Sequence, residues 1–255
     1  MKKLFLIVAA MFAAVSFSAC SDDDDDNGGK APTPEKWVKQ IAFRAELDES
    51  WTSTITYDSE NRVKKIDGLR NDSYEFTYNG NSLTVKGSDR TYTCKLNSDG
   101  YVTEVTENDF DKDETYYYKM EYKNGYLQRV EQRYSYNESR VRVSECTWRD
   151  GNLVEYTAKD YNEDDTEIET AKISYSKTAT PINIDLLYFS GYVPVDVYPL
   201  DLLGFCGRQS AKLPDKVDVV WGSESDSDDL GIYTLNDDGT VARIDGGSWS
   251  YELIY

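Results

Sequence analysis

The chain has 255 residues, with 28 Lys and Arg against 47 Asp and Glu, no His, and a formal net charge of −19. This acidic excess disfavours nucleic acids and anionic membrane surfaces as partners, because binding to either depends on Lys and Arg. Without His, the chain has neither a histidine base for catalysis nor imidazole ligands for a metal.

The N-terminal residues have the order of a secretory signal. Met1, Lys2 and Lys3 precede an apolar run at 4–17 and the small pair at 18–19, and the run is too short to span a bilayer. Cys20 follows directly, as in a bacterial lipoprotein, although Phe17 stands where such signals usually carry an aliphatic residue. The sequence predicts a signal peptide at 1–19, cleavage before Cys20 and lipidation of Cys20; the alternative is a secreted protein cut near Ala19.

Residues 20–36 are predicted to form a flexible tether. Five consecutive Asp at 22–26 are followed by Gly and Pro residues, and the segment has too little apolar surface to offset the entropy cost of ordering it. An acidic run after the lipidated Cys resembles the export signal of Bacteroidetes surface lipoproteins. This resemblance implies an outer-membrane lipoprotein exposed at the cell surface, held to the membrane only by its N-terminal lipid.

Three further cysteines remain: Cys94, Cys146 and Cys206. They show no CxxC pair and no zinc-like spacing. Export permits a disulfide, and Cys94 and Cys146 lie in strand-like runs that could face each other. The alternative is three buried free thiols.

From residue 37 onward one pattern recurs: an aromatic residue or Leu, a polar turn with Asn-Gly or Asp-Gly, and a β-prone run. The turn glycines are Gly80, Gly100, Gly125, Gly151 and Gly239, and Asn61 takes the equivalent place in the first copy. Asn-Gly and Asp-Gly supply the positive φ angles of tight hairpins, and runs such as 74–78 alternate with a period of two. The pattern predicts one all-β domain over 37–255, a large antiparallel meander curled or closed into a soluble, barrel-like sheet. Charges on both strand faces disfavour a membrane-spanning barrel.

Residues 178–214 interrupt the pattern. They contain the four prolines that lie outside the tether and the densest apolar content of the chain. We expect a short helix or irregular plug near 185–213 that fills the inside of the curled sheet, with a helix at 200–205 after Pro199. The alternative for this segment is a lid or a ligand pocket.

The hairpin repeats, together with residues 182–188 and 204–214, resemble a group of Bacteroidetes lipoproteins that form a domain-of-unknown-function family with a porin-like fold. The resemblance covers most of residues 37–255. It implies a barrel-like fold and brings no active-site residue to this chain.

No motif in the chain predicts a catalytic residue, a cofactor or a metal. Phosphate-binding loops and nucleophile elbows are absent from the sequence. Residues 109–114 imitate the start of a calcium loop but lack its Gly at the sixth position, and Met120 stands where the bidentate Glu belongs. These residues and the acidic run at 225–229 are interpreted as charged hairpin tips.

The sequence therefore favours a non-enzymatic, surface-anchored binding or accessory module whose partner is a glycan or a protein. Five tryptophans are candidate stacking platforms for a glycan: Trp37, Trp51, Trp148, Trp221 and Trp249. One alternative is a glycosidase-like hydrolase, which needs two carboxylates about 5 to 10 Å apart in a cleft. Another is a structural subunit of a surface complex.

Overall fold

The computed structural model describes residues 37–46, 50–70, 72–162, 165–179 and 182–255. The predicted signal peptide, Cys20 and the tether lie outside the described residues. The described part forms one antiparallel sheet of 17 strands and one 3-10 helix, which confirms the predicted all-β meander. No helix in it has the length and apolar content needed to cross a membrane.

The strand bounds, in chain order, are β1 (Gln40–Ala45), β2 (Trp51–Tyr57), β3 (Val63–Leu69), β4 (Asp72–Asn79), β5 (Ser82–Lys86), β6 (Arg90–Leu96), β7 (Val102–Asp109), β8 (Glu114–Lys123), β9 (Tyr126–Tyr134), β10 (Val141–Arg149), β11 (Asn152–Tyr161), β12 (Thr166–Ala179), β13 (Lys212–Trp221), β14 (Glu224–Asp229), β15 (Ile232–Leu235), β16 (Val241–Asp245) and β17 (Trp249–Ile254).

The repeated turn motif lies at the predicted strand connections. Its glycines all have positive φ, from 57° at Gly80 to 84° at Gly100. Asn61 adopts φ 58° in the first copy, as a short polar side chain can in the left-handed region. The local turn chemistry thus sets where each hairpin reverses.

The sheet curls until its two ends meet at β1. This strand pairs with β2 along one edge and with β17 along the other. In the described residues no pairing joins β14 to β15, since β14 pairs with β13 and β15 with β16. The chain crosses between these ladders at Gly231, where a Cβ would lie 2.7 Å from the Asp245 carbonyl oxygen. The sheet is therefore strongly curled but not closed, and we call the unpaired edges of β14 and β15 the seam.

Residues 182–211, between β12 and β13, fill the inside of the curled sheet and are called the plug. Ile184, Val197, Leu200 and Leu202 are 0% exposed, and they pack in one cluster with inward side chains of the sheet. Each such aliphatic side chain stabilises the fold by about 1.5–3 kcal/mol on full burial. The predicted plug is confirmed.

The helix of the plug lies earlier than expected. It spans Leu186–Ser190, where the Asp185 side chain accepts a hydrogen bond from the Leu187 N–H at 3.0 Å. The helix expected at 200–205 was wrong: this stretch forms successive turns, with Leu200 N–H bonded to the Val197 carbonyl and Gly204 N–H to that of Asp201. Packing of the apolar side chains on all sides replaces a regular helical ladder there.

The cysteines of the described part are free thiols. Cys94 lies on β6 and Cys146 on β10, with three strands between them in the meander, and neither bonds to Cys206. Burial raises the pKa of Cys94 to about 12 and that of Cys146 to about 12. The thiols are therefore protonated and packed as small apolar groups.

Shortening a buried side chain of the plug is expected to destabilise the whole sheet. Leu200→Ala leaves a cavity against the inner face and should lower the free energy of unfolding by about 2–5 kcal/mol. Leu235→Ala, at a position 39% exposed on β15, is the matched control and should cost less than about 1 kcal/mol. Urea unfolding followed by tryptophan fluorescence measures both; equal losses would show that the plug does not support the sheet.

Asp185 predicts a pH-dependent stability. Burial raises its pKa to about 6, against the effect of the Leu187 N–H, so the folded state holds the proton more tightly than the unfolded state, whose value is near 3.9. Protonation of Asp185 therefore stabilises the folded state. This stabilisation is fully present below about pH 4 and is lost as the pH rises through about 6.

Asp185→Asn keeps an oxygen for the Leu187 N–H and removes the charge. It should raise the free energy of unfolding at neutral pH on the order of 1–3 kcal/mol and flatten the decline between about pH 4 and 6. The exposed turn variant Asp111→Asn is the control. If the free energy of unfolding of Asp185→Asn declines between about pH 4 and 6 as steeply as that of wild type, Asp185 is not the group responsible for the decline.

Candidate ligand-binding site

A cavity of about 440 Å³ lies at the seam, between β14, the turn from β16 to β17, and the plug. This volume falls within the roughly 300–1,000 Å³ of small-molecule sites. Five aromatic side chains and four polar ones contribute to its lining: Phe43, Phe189, Tyr233, Trp249 and Tyr251, with Ser190, Ser248, Asp228 and Asp229. We call this space the seam cavity.

Strand register brings the aromatic side chains together. Phe43 on β1 is the cross-strand partner of Tyr251 on β17 and of Trp51 on β2. Directly opposed residues present their side chains on the same face of a sheet. Since Ile41 follows the same alternation as Phe43 and is 0% exposed within the core, this face points inward.

Tyr251 is the centre of the aromatic cluster. Its ring centroid lies 5.0 Å from that of Phe43, 5.5 Å from that of Trp249 and 4.3 Å from that of Phe189 in the plug. Trp51 stacks on Phe43 at 5.6 Å. Such offset and edge contacts stabilise one another, so the cavity wall is built before a ligand arrives.

Gly246 sets the position of the Trp249 indole. A Cβ at residue 246 would lie 2.1 Å from the Trp249 ring, and the Gly246 N–H donates to the Trp249 carbonyl at 2.9 Å. The indole therefore packs closely against the turn at Gly246. No side chain larger than hydrogen fits beneath it without moving the ring.

The phenols near the cavity are neutral groups. Burial raises the pKa of Tyr233 and of Tyr251 above the ordinary tyrosine value. The hydrogen bond to Asp228, with burial, raises the pKa of Tyr192 to about 12. Each phenol keeps its proton at physiological pH and can both donate and accept.

Asp228 and Asp229 provide the negative charge of the site. The Tyr192 hydroxyl donates to Asp228 Oδ2 at 2.6 Å, and among the described residues neither Asp forms an ion pair with Lys or Arg. Consecutive residues of a strand point to opposite faces. The two carboxylates therefore do not face each other across the cavity as an acid–base pair of a glycosidase would.

Glu107 is a buried carboxylate inside the sheet, and it has both an ion-pair partner and a hydrogen-bond partner. Glu107 on β7 is paired with Arg90 at 3.0 Å and accepts a hydrogen bond from the Tyr118 hydroxyl at 2.9 Å. Burial raises the pKa of Glu107, and these two partners oppose the rise. A buried polar group with its partners in place holds the structure rather than waiting for a ligand.

The five tryptophans separate into different environments. Trp249 lines the cavity and Trp51 supports it from behind. Trp37 packs edge-on against Tyr57 at 5.4 Å, and the Trp148 indole donates to the Leu127 carbonyl at 2.6 Å. Trp221 is 39% exposed where β13 ends. The sequence-based set thus contained one wall residue and one supporting residue.

The acidic segments take the roles of strands and turns. Asp109 is buried at the end of β7 and accepts a hydrogen bond from the Lys112 N–H at 3.1 Å. Residues 225–229 lie within β14 rather than at a hairpin tip. In the described ranges no group of three or more Cys, Asp or Glu has a metal-binding arrangement.

Phe43, Phe189, Tyr233 and Tyr251 were missed from sequence. The alternations Phe43-x-Ala45 and Trp249-x-Tyr251 are visible as inward-facing strand patterns. These alternation patterns do not indicate that the first and last strands pair with each other. That pairing brings together residues more than 200 positions apart.

No family model matches the chain, and no curated protein matches it. Two solved structures have a similar fold: a porin-like protein from Bacteroides vulgatus ATCC 8482 and one from Bacteroides uniformis ATCC 8492. The first has TM-score 0.70 and 15% identity, covering 87% of this chain and 99% of that one. The second has TM-score 0.65 and 15% identity, covering 88% and 99%. At this identity the likeness shows the fold alone.

Gly246→Ala is expected to displace the Trp249 indole, because the added methyl group overlaps the ring. Gly247→Ala is the matched control: its Cβ meets nothing within 4 Å, although φ +87° makes it cost about 1 kcal/mol of stability. Near-ultraviolet circular dichroism should change in the first variant and not in the second, with Trp249→Phe identifying the Trp249 signal. Equal spectra for wild type and Gly246→Ala would contradict this arrangement.

Proposed function

We propose that this protein is a surface-anchored, non-enzymatic lipoprotein that binds a small ligand of the glycan class in the seam cavity. The observation that carries the proposal is a preformed cavity with five aromatic walls and hydroxyl and carboxylate groups at its edge. Aromatic faces offer apolar area with fixed geometry, and a few polar groups orient a ligand.

Stacking on a sugar ring requires aromatic faces that are held still. Phe43 is supported by Trp51, and Tyr251 by Phe189 from the plug. Side chains immobilised in the free protein lose little entropy on binding. The cluster is therefore suited to a flat, partly apolar ligand surface.

The position of the cavity agrees with a tether at the N-terminus. Strand β1 begins at Gln40, close to the predicted tether, and reaches the cavity at Phe43 and Ala45. A strand advances about 3.4 Å per residue, so the cavity lies roughly 10–17 Å further along the strand. The predicted tether would therefore join the domain near the cavity.

The similar structures support an outer-membrane location. Both are named porin-like proteins and both come from Bacteroides. Together with the signal sequence and the acidic run after Cys20, they favour a lipoprotein of the outer membrane exposed at the cell surface.

Ligand binding is tested with a glycan array followed by isothermal titration of retained glycans. Trp249→Ala should weaken binding at least about tenfold, because it removes one wall of the cavity. Trp221→Ala, at an exposed tryptophan outside the cavity lining, should leave affinity within about twofold. If no glycan is retained while a protein partner co-purifies, the glycan-binding function is wrong and the accessory-subunit alternative takes its place.

Anchoring is tested separately in cells. Cys20→Ala should move the protein from the membrane fraction to the soluble fraction and abolish labelling with a palmitate analogue. Cys94→Ala is the control, since its thiol is buried in the sheet. Membrane recovery of Cys20→Ala equal to wild type would overturn the lipid anchor without affecting the cavity.

A further inference from the structure

We infer that the seam cavity selects a cationic ligand: an ammonium group carried by a sugar or by another small organic frame. This inference rests on the proposed function, because it concerns the charge of the ligand that the same cavity binds. The proposed glycan class does not specify the charge of the ligand, and this inference does.

The charge of the lining is one-sided. Asp228 and Asp229 are the ionisable acids among the lining residues, and this lining contains no Lys or Arg. Lys216, the cross-strand partner of Asp229, forms its ion pair with Asp218 at 2.7 Å. Lys216 remains a charged neighbour of Asp229. Asp228 has no ion pair with Lys or Arg in the described structure, so a ligand that brings a positive charge would meet this carboxylate without a competing cation.

The hydrogen bond from Tyr192 fixes one of these carboxylates. It holds Asp228 Oδ2 at 2.6 Å, and Tyr192 follows the helix that carries Phe189 and Ser190 into the lining. The plug therefore orients the charged group as well as part of the aromatic wall. An ammonium donor can use the remaining acceptor positions of Asp228.

The aromatic walls favour the same ligand charge. The face of an aromatic ring carries partial negative charge and attracts cations within about 6 Å of its centroid. Five aromatic residues contribute to the lining, so a cation in the cavity would lie near their rings, and a neutral sugar would use only their apolar area.

A cation–π contact occurs at two rings that adjoin the cavity wall but do not line it. The Arg70 guanidinium lies 5.5 Å from the Tyr188 ring centroid and 5.2 Å from that of Tyr198. Tyr188 contacts Phe189 at 5.6 Å, so the array continues from Arg70 to the cavity wall. Arg70 is not part of the lining, although its charge reaches Tyr251 of the wall: burial raises the pKa of that phenol, and Arg70 opposes the rise.

The field of the whole protein adds to the preference. With a formal net charge of −19, the protein attracts cations and repels anions over distances of about a Debye length. An anionic or strongly phosphorylated ligand would face this repulsion as well as the two carboxylates.

The test compares choline, glucosamine and glucose by isothermal titration at about pH 6, where the amine of glucosamine is protonated. Glucosamine and glucose form a matched pair that differs by one substituent. We expect choline and glucosamine to bind at least about tenfold more tightly than glucose, with affinity falling as salt rises from about 0.05 to 0.5 M.

Asp228→Asn tests the role of the carboxylate. It should reduce the affinity for glucosamine at least about fivefold, while the melting temperature stays within about 2 °C of wild type. Asp226→Asn is the matched control, because Asp226 lies two residues earlier on β14 and outside the lining. A loss of affinity as large in Asp226→Asn would mean that general charge, and not Asp228, is responsible.

The outcomes separate the two proposals. Glucose binding as tight as glucosamine, abolished by Trp249→Ala, overturns the cation preference and leaves the ligand-binding function standing. Failure of all three probes, with no glycan retained on the array, overturns both. Binding of choline and glucosamine that Asp228→Asn weakens supports both.

Discussion

Contact between the plug and the inner face of the sheet is the interaction on which the other features depend. The inward face of a curled sheet of this size encloses more space than its own side chains fill. A further segment, here the plug, packs against that face. Leu200 and Leu202 join inward residues of strands from both ends of the chain in one buried cluster. Because burial is non-directional, an irregular backbone with apolar side chains on every side serves this purpose better than a one-sided helix.

The same packing accounts for the unfilled space. The plug helix ends at Ser190, where Phe189 meets Tyr251 across a centroid distance of 4.3 Å. Near that point β14 pairs with β13 and β15 with β16, and in the described residues no backbone pairing joins β14 to β15. The cavity therefore lies where the plug helix ends and where the hydrogen-bonded pairing of the sheet is interrupted.

Carboxylates inside the sheet and at the seam differ in the partners that they have. Glu107 is buried with an arginine and a tyrosine as its partners, so its role in the structure is complete. Asp228 lies at the edge of the cavity with one tyrosine hydroxyl as its hydrogen-bond partner in the described structure. This difference, more than the large number of acids in the sequence, distinguishes a supporting carboxylate from one available to a ligand.

Sequence alone determined the hairpin turns, the antiparallel class and the segment that fills the interior. These depend on local chemistry: the positive φ that Gly100 and Asn61 can adopt, the alternation of a strand, and the apolar density of residues 178–214. It misplaced the plug helix, because the choice between residues 186–190 and 200–205 depends on which side chains the surrounding sheet buries. Tertiary structure decided that the first and last strands pair, that β14 and β15 do not, and that Phe43 and Trp249 line one cavity. No local pattern specifies these outcomes, since they arise when a long meander curls back on itself and its last strand pairs with the free edge of β1.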